Sequence, residues 1–81
     1  MLSFEVIESG KTIQICADDK GLSLLRKALE RVTSSGHLHL RTVANGGNEL
    51  NETNPWGQVA IGEVIITTAY NKGGNRDVTT R

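Results

Sequence analysis

Residues 18–36 carry the signals of an amphipathic helix, and this segment constrains the fold more than any other. Asp18 and Asp19 place carboxylates at the expected start, where they accept bonds from free backbone N–H groups and favour the positive end of the helix dipole. Gly36 is the expected C-terminal stop, and Gly21 predicts a close approach to a neighbouring element. Apolar side chains cover an arc of about 160° on a helical wheel. They are Leu22, Leu24, Leu25, Ala28, Leu29 and Val32. We expect this face to pack on a sheet.

Alternation of apolar and polar residues predicts that sheet. Residues 2–7 and 12–16 alternate on either side of Ser9-Gly10, which is typical of an antiparallel hairpin. Residues 37–42 alternate strictly, so Leu38 and Leu40 should face the helix. Residues 48–51 are expected to be a short extended piece. Residues 58–69 are strand-like, with Gly62 predicting either a bulge that resets the register or a break into two strands.

The element order is therefore β-β-α-β-(β)-β in one small domain of 81 residues. We predict an α+β fold with two layers, in which a mostly antiparallel sheet of four to five strands carries one amphipathic helix on one face. The other face would be open. Residues 1–70 form the predicted domain. Residues 71–81 are mostly polar and show no periodic pattern of apolar residues, so we expect a disordered C-terminal tail.

Charge and composition exclude several classes of protein. Nine Lys and Arg balance nine Asp and Glu, so the chain lacks the excess of positive charge typical of nucleic-acid binders. Residues 42–70 contain three acids and no Lys or Arg. No stretch approaches the roughly 20 apolar residues of a membrane span. A lone Cys16 and the lack of a signal-peptide pattern favour a cytoplasmic location.

The histidines are the sharpest candidates for chemistry. On a strand, His37 and His39 project to the same side roughly 6–7 Å apart, which is close enough to share a metal ion. A zinc site needs further ligands, and only Glu49 or Glu63 could supply one. The alternatives are two surface histidines or part of a partner-binding patch. No Ser or Cys accompanies them in a nucleophile arrangement, so we predict no enzyme activity, no metal and no other cofactor.

Trp56, the one tryptophan, lies in a turn-rich loop beside Pro55. Its side chain either covers the edge of a small core or serves as an aromatic anchor at an interface, where tryptophan is enriched.

Four segments together resemble family thirty-two of the bacterial polymorphic-toxin immunity proteins. They are the helix at 21–29, the strand at 37–40, Gly46-Gly47 followed by Glu49-Leu50, and the strand at 62–66. The similarity covers roughly residues 11–68.

The resemblance implies a cytoplasmic immunity protein that binds the toxic domain of a cognate toxin and blocks its active site. The candidate contact residues are His37, His39 and Arg41 on the open face, with Glu49, Glu52 and Trp56 in the neighbouring loop. The alternative is a small interaction or regulatory domain, joined as a homodimer through its open face or an edge strand. The sequence leaves monomer and homodimer open.

Overall fold

The computed structural model of the protein describes residues 1–69, which form an α+β fold. Strands β1 (Leu2–Ile7) and β2 (Thr12–Ala17) pair antiparallel and precede helix α1 (Asp19–Ser35). Strand β3 (His37–Arg41) follows, then a short 3₁₀ turn (Val43–Asn45) and a long loop. Strand β4 (Glu63–Thr67) returns antiparallel to β3. The predicted hairpin and helix are confirmed, whereas Tyr70 and the predicted tail lie outside the described residues.

Helix α1 begins and ends at the residues that its sequence signals indicate. The Asp18 carboxylate accepts a bond of 2.9 Å from the Gly21 backbone N–H. Gly36, with a φ of 90°, donates its backbone N–H to the Val32 carbonyl at 2.9 Å. Gly21 is buried, and a Cβ at that position would overlap the carbonyl oxygen of Met1. The predicted close approach of the helix start is confirmed.

The buried face of α1 lies at the centre of the predicted arc, where Gly21, Ala28 and Val32 are found, and the exposed leucines lie at one edge of that arc. Ala28 and Val32 are buried, whereas Leu22 and Leu29 remain 55% and 50% exposed. Small side chains at Gly21 and Ala28 let the helix axis come close to the strands, so the larger leucines lie on the flanks. The buried core cluster consists of Leu2, Phe4, Ala28, Leu40 and Leu50, with Leu24, Leu25, Leu38, Ile61, Val64 and Ile66 packed against it.

The strands form two separate two-stranded ladders, so the expectation of one sheet with four to five strands is not met. Between them, residues 50–61 follow the free edge of β1 with isolated bonds. The backbone N–H of Asn51 donates to the Leu2 carbonyl and that of Ile61 to the Phe4 carbonyl, both at 2.8 Å. Ladder pairing does not continue there because this segment is rich in turn residues such as Asn, Pro and Gly.

Gly62 marks the change of register that the sequence predicts. Ile61 and Val64 both pack against the core although they are three residues apart, which a regular strand would place on opposite faces. β4 starts only at Glu63, so residues 58–62 are not part of a named strand. The predicted strand at 58–69 is therefore shorter than expected.

The face away from α1 is open over one ladder and covered over the other. On β3 and β4 it carries exposed side chains, which include Glu63 and Ile65. On β1, however, Ser3 is completely buried and Glu5 is 7% exposed. The prediction of a wholly open second face therefore holds for the β3–β4 ladder and is wrong for β1.

Candidate protein-binding surfaces

The open face of the β3–β4 ladder, here called the histidine face, brings together His37, His39 and Arg41. Because Leu38 and Leu40 pack into the core, alternation directs these three side chains away from α1. The two imidazole rings meet edge to face with centroids 5.4 Å apart. The structure thus places three of the predicted contact residues on one surface.

Glu63 on β4 organises this surface, although the sequence suggested it only as a possible metal ligand. Its Oε2 lies 2.5 Å from His39 Nδ1 and accepts a bond of 3.0 Å from Arg41 Nε. Arg41 Nη2 is also 3.2 Å from His39 Nδ1. Since one ring nitrogen cannot both donate to the carboxylate and accept from the guanidinium, the shorter contact defines the hydrogen bond. The bonds from His39 and then Arg41 hold the pKa of Glu63 below its usual range.

Ile65 is an apolar residue at the middle of the histidine face. It pairs with His39 across the ladder and is 57% exposed. The run Val64-Ile65-Ile66 is apolar on both faces, which is typical of a central strand, whereas β4 lies in a two-stranded ladder and Ile65 is exposed. Ile65 thus places an apolar side chain beside the hydrogen-bonded polar groups of His39, Arg41 and Glu63.

Glu49 and Glu52 have structural partners. Glu49 Oε1 accepts a bond of 3.0 Å from the Arg41 backbone N–H, and this bond is the main reason why the pKa of Glu49 is lowered. Glu52 Oε2 accepts a bond of 2.8 Å from the backbone N–H of Ala44. Both carboxylates therefore hold the loop after β3 in place, and neither bonds to the side chains of the histidine face.

Trp56 lies at a different surface, here called the tryptophan groove. This open groove has a volume of about 580 Å³, and its lining includes Glu5, Ile7, Gln14, Asn54, Trp56 and Gln58. The indole is 65% exposed. Asn54 fixes the turn that presents it, because its Oδ1 accepts bonds of 2.9 Å from the backbone N–H groups of both Trp56 and Gln58. The sequence identified Trp56 as a candidate contact residue but did not identify Glu5. Glu5 is one polar residue in the regular alternation of residues 2–7, which gives no sign of a groove.

Other kinds of site find no support within residues 1–69. No group of three or more His, Cys, Asp and Glu side chains is arranged there to hold a metal ion. Over the same residues no helix has the length and apolar character needed to cross a membrane. Cys16 is a free, half-buried thiol on β2, on the same face of the hairpin as Ser3, with which it pairs.

The chain was compared with protein families, curated proteins and solved structures. No protein family, no curated protein and no solved structure matches this chain.

Proposed function

We propose that the chain is a protein-binding domain that neutralises a bacterial toxin domain by covering its active site. The toxin is the partner implied by the resemblance to the immunity proteins. The observation that carries the binding role is the histidine face, where Ile65 is 57% exposed between preorganised charged side chains. Fixed side chains lose little conformational freedom on binding, which favours affinity.

Occlusion is the mechanism that such a face suits. His39, Arg41 and Glu63 already bond to one another, so a partner meets a rigid polar surface with an apolar centre. A rigid face of this kind lies over a cleft and excludes water and substrate from it, without any chemistry of its own. We therefore propose that the protein is not an enzyme, that it needs no cofactor, and that it acts in the cytoplasm of the producing cell.

The test is coexpression with the toxin domain encoded in the adjoining upstream reading frame. We expect cells that produce the toxin domain to survive only with this protein, and the two purified proteins to form a 1:1 complex. Ile65→Asp places a charge at the centre of the face and should weaken binding at least about tenfold. Leu22→Asp is the matched control, since Leu22 has nearly the same exposure, 55% against 57%, on the helix side.

Two results would contradict the proposal. An upstream frame that encodes no secreted protein with a toxin domain would remove the partner. Equal binding by the Ile65→Asp and Leu22→Asp proteins would remove the histidine face as the contact surface.

The second candidate is a homodimer joined through the outer edge of β2. This strand pairs with β1 alone among the described strands, carries no charged residue and no proline, and exposes Ile13 at 64% and Ile15 at 47%. Unprotected edges of this kind favour pairing with a second strand. Antiparallel pairing of two copies about a two-fold axis would align these isoleucines across the new ladder. Light scattering would detect a dimer that Ile13→Lys dissociates, whereas a monomer at micromolar concentration would exclude it.

A further inference from the structure

Glu5 is a buried carboxylate without a positively charged partner. It is 7% exposed, and none of the ion pairs within residues 1–69 includes it. Its Oε2 accepts a bond of 2.8 Å from the Ser3 hydroxyl. Within residues 1–69, the one hydrogen bond to Oε1 comes from the weakly donating thiol of Cys16, at 4.0 Å. One oxygen of the carboxylate is therefore almost unsatisfied.

This arrangement is costly in the free protein and favours the arrival of a cation. A carboxylate removed from water loses hydration, and a single hydroxyl bond replaces only part of it. Glu5 lies on the lining of the tryptophan groove, so a group bound in the groove is placed beside this residue. A positively charged group placed there would restore the lost interactions in a poorly hydrated setting, where ion pairing is strong.

The rest of the groove indicates which cation fits. The exposed indole of Trp56 offers an aromatic surface, and the amide of Gln14 offers an acceptor oxygen on the same lining. Gln58 Oε1 already accepts a bond of 3.1 Å from Asn54 Nδ2, which leaves it one further lone pair. A guanidinium group is planar, stacks on aromatic rings and has five N–H donors for a carboxylate and amide oxygens. An ammonium group lacks the planar face and has three donors. The combination of carboxylate, indole and amides therefore matches arginine better than lysine.

We propose that the tryptophan groove receives an arginine side chain of the partner protein, with its guanidinium paired to Glu5 and stacked on Trp56. The proposal rests on the proposed function in that the arginine belongs to a bound protein. It adds a second contact surface to the histidine face and names the chemistry that this surface recognises.

The groove can be tested without the partner, by NMR titration of the full chain with N-acetyl-arginine methylamide. The indole N–H of Trp56 reports on the groove because the chain has one tryptophan. The matched probe is the citrulline analogue, which keeps the shape of arginine but carries no charge. We expect the arginine probe to bind at least about tenfold more tightly than the citrulline probe, since a charge-assisted bond to a carboxylate distinguishes them.

Three variants show which residues cause the preference for the arginine probe over the citrulline probe. Glu5→Gln should reduce the preference for arginine over citrulline to less than about twofold, because the amide keeps the shape of the carboxylate without its charge. Trp56→Leu, at an exposed position that does not support the fold, should weaken both probes. Glu30→Gln, on the exposed side of α1, is the control and should bind like the wild-type chain.

Equal binding of the two probes to the wild-type chain would overturn the inference, as would an unchanged preference in the Glu5→Gln protein. Neither result involves the toxin domain, so the proposed function would stand or fall separately through the Ile65→Asp experiment. Conversely, a groove that prefers arginine in a chain that binds no toxin would refute the proposed function alone.

Discussion

Leu40 is the residue through which the packing of the helix on the strands can be measured. Its side chain is 2% exposed and belongs to the core cluster with Ala28 of α1 and Leu2 and Phe4 of β1. Leu40→Ala removes three carbon atoms from this contact. At about 0.8 kcal/mol for each buried carbon, the loss of transfer free energy alone is about 2.4 kcal/mol. The cavity left behind raises the expected loss to about 3–4 kcal/mol.

The same substitution at Leu22 provides the comparison, because this side chain is 55% exposed on the flank of α1. Leu22→Ala should cost no more than about 1 kcal/mol, since half of its surface is already in water and alanine has the higher helix propensity. Urea unfolding followed by far-UV circular dichroism gives both values, and the exposed Trp56 is a poor reporter of the core. With an m value of about 1 kcal/mol/M, the Leu40→Ala midpoint should fall by about 3 M. Similar losses of unfolding free energy for Leu40→Ala and Leu22→Ala would show that α1 packs its Leu22 flank on the strands, which would contradict the burial of Leu40 against Ala28.

Three further outcomes follow from single contacts. Gly21→Ala should destabilise the fold by about 1–3 kcal/mol despite the helix propensity of alanine, because the new Cβ meets the Met1 carbonyl. Ser23→Ala in the same helix is the control and should be neutral or stabilising in the same urea assay. Asn54→Ala should cost about 1–3 kcal/mol by leaving two backbone N–H groups unpaired, and should weaken the arginine probe by releasing the turn that presents the indole. The folded-state pKa of Glu49 lies below its ordinary value of 4.5, so its bond stabilises the fold fully above that pH and is lost as the pH falls through the lower folded value. Urea midpoints at pH 6 and pH 3 should therefore differ less in a Glu49→Gln protein than in the wild-type chain.

The parts of the fold that sequence predicts well are those decided by neighbouring residues. Asp18 accepts its bond from Gly21 three residues on, and Gly36 closes the helix by bonding to Val32 four residues back. Such signals are complete within one turn of helix. The hairpin of β1 and β2 is equally local, since a short turn joins two alternating strands.

The position of α1 around its own axis was predictable as well. At about 100° per residue, Gly21, Ala28 and Val32 fall near the centre of the apolar arc, and these are the buried residues of the helix. The helical wheel did not show that Leu22 and Leu29, at one edge of the arc, stay about half exposed. How far the contact extends around the helix depends on the strands that meet it, which the helix sequence does not encode.

The two candidate surfaces differ in the same way, because one depends on neighbouring residues of the sequence and the other on distant ones. His37, His39 and Arg41 share a face because they alternate along one strand, and sequence shows that directly. Glu5 shares the groove with residues of the segment 51–61, which reaches β1 through bonds such as the one between Asn51 and Leu2. These partners are about 50 residues apart along the chain, and no pattern within either segment encodes the contact. The tryptophan groove therefore becomes visible only in three dimensions.

We expect the acidic residues of the two surfaces and the loop to affect the proposed binding in different ways, according to their burial and their hydrogen bonds. Glu49 and Glu52 each accept a bond from a backbone N–H group, and Glu63 accepts bonds from His39 and Arg41, so all three carboxylates are held in place near the surface. Charges of this kind act at a distance, and we expect them to govern the rate of association and its dependence on salt. Glu5 differs because it is buried, so a cation that reaches it pairs with it in a poorly hydrated setting where a close ion pair is strong. Loss of a buried charge pair accelerates dissociation. We therefore expect the lifetime of the complex to depend on Glu5, which lies outside the acidic segment that charge patterning alone would have selected.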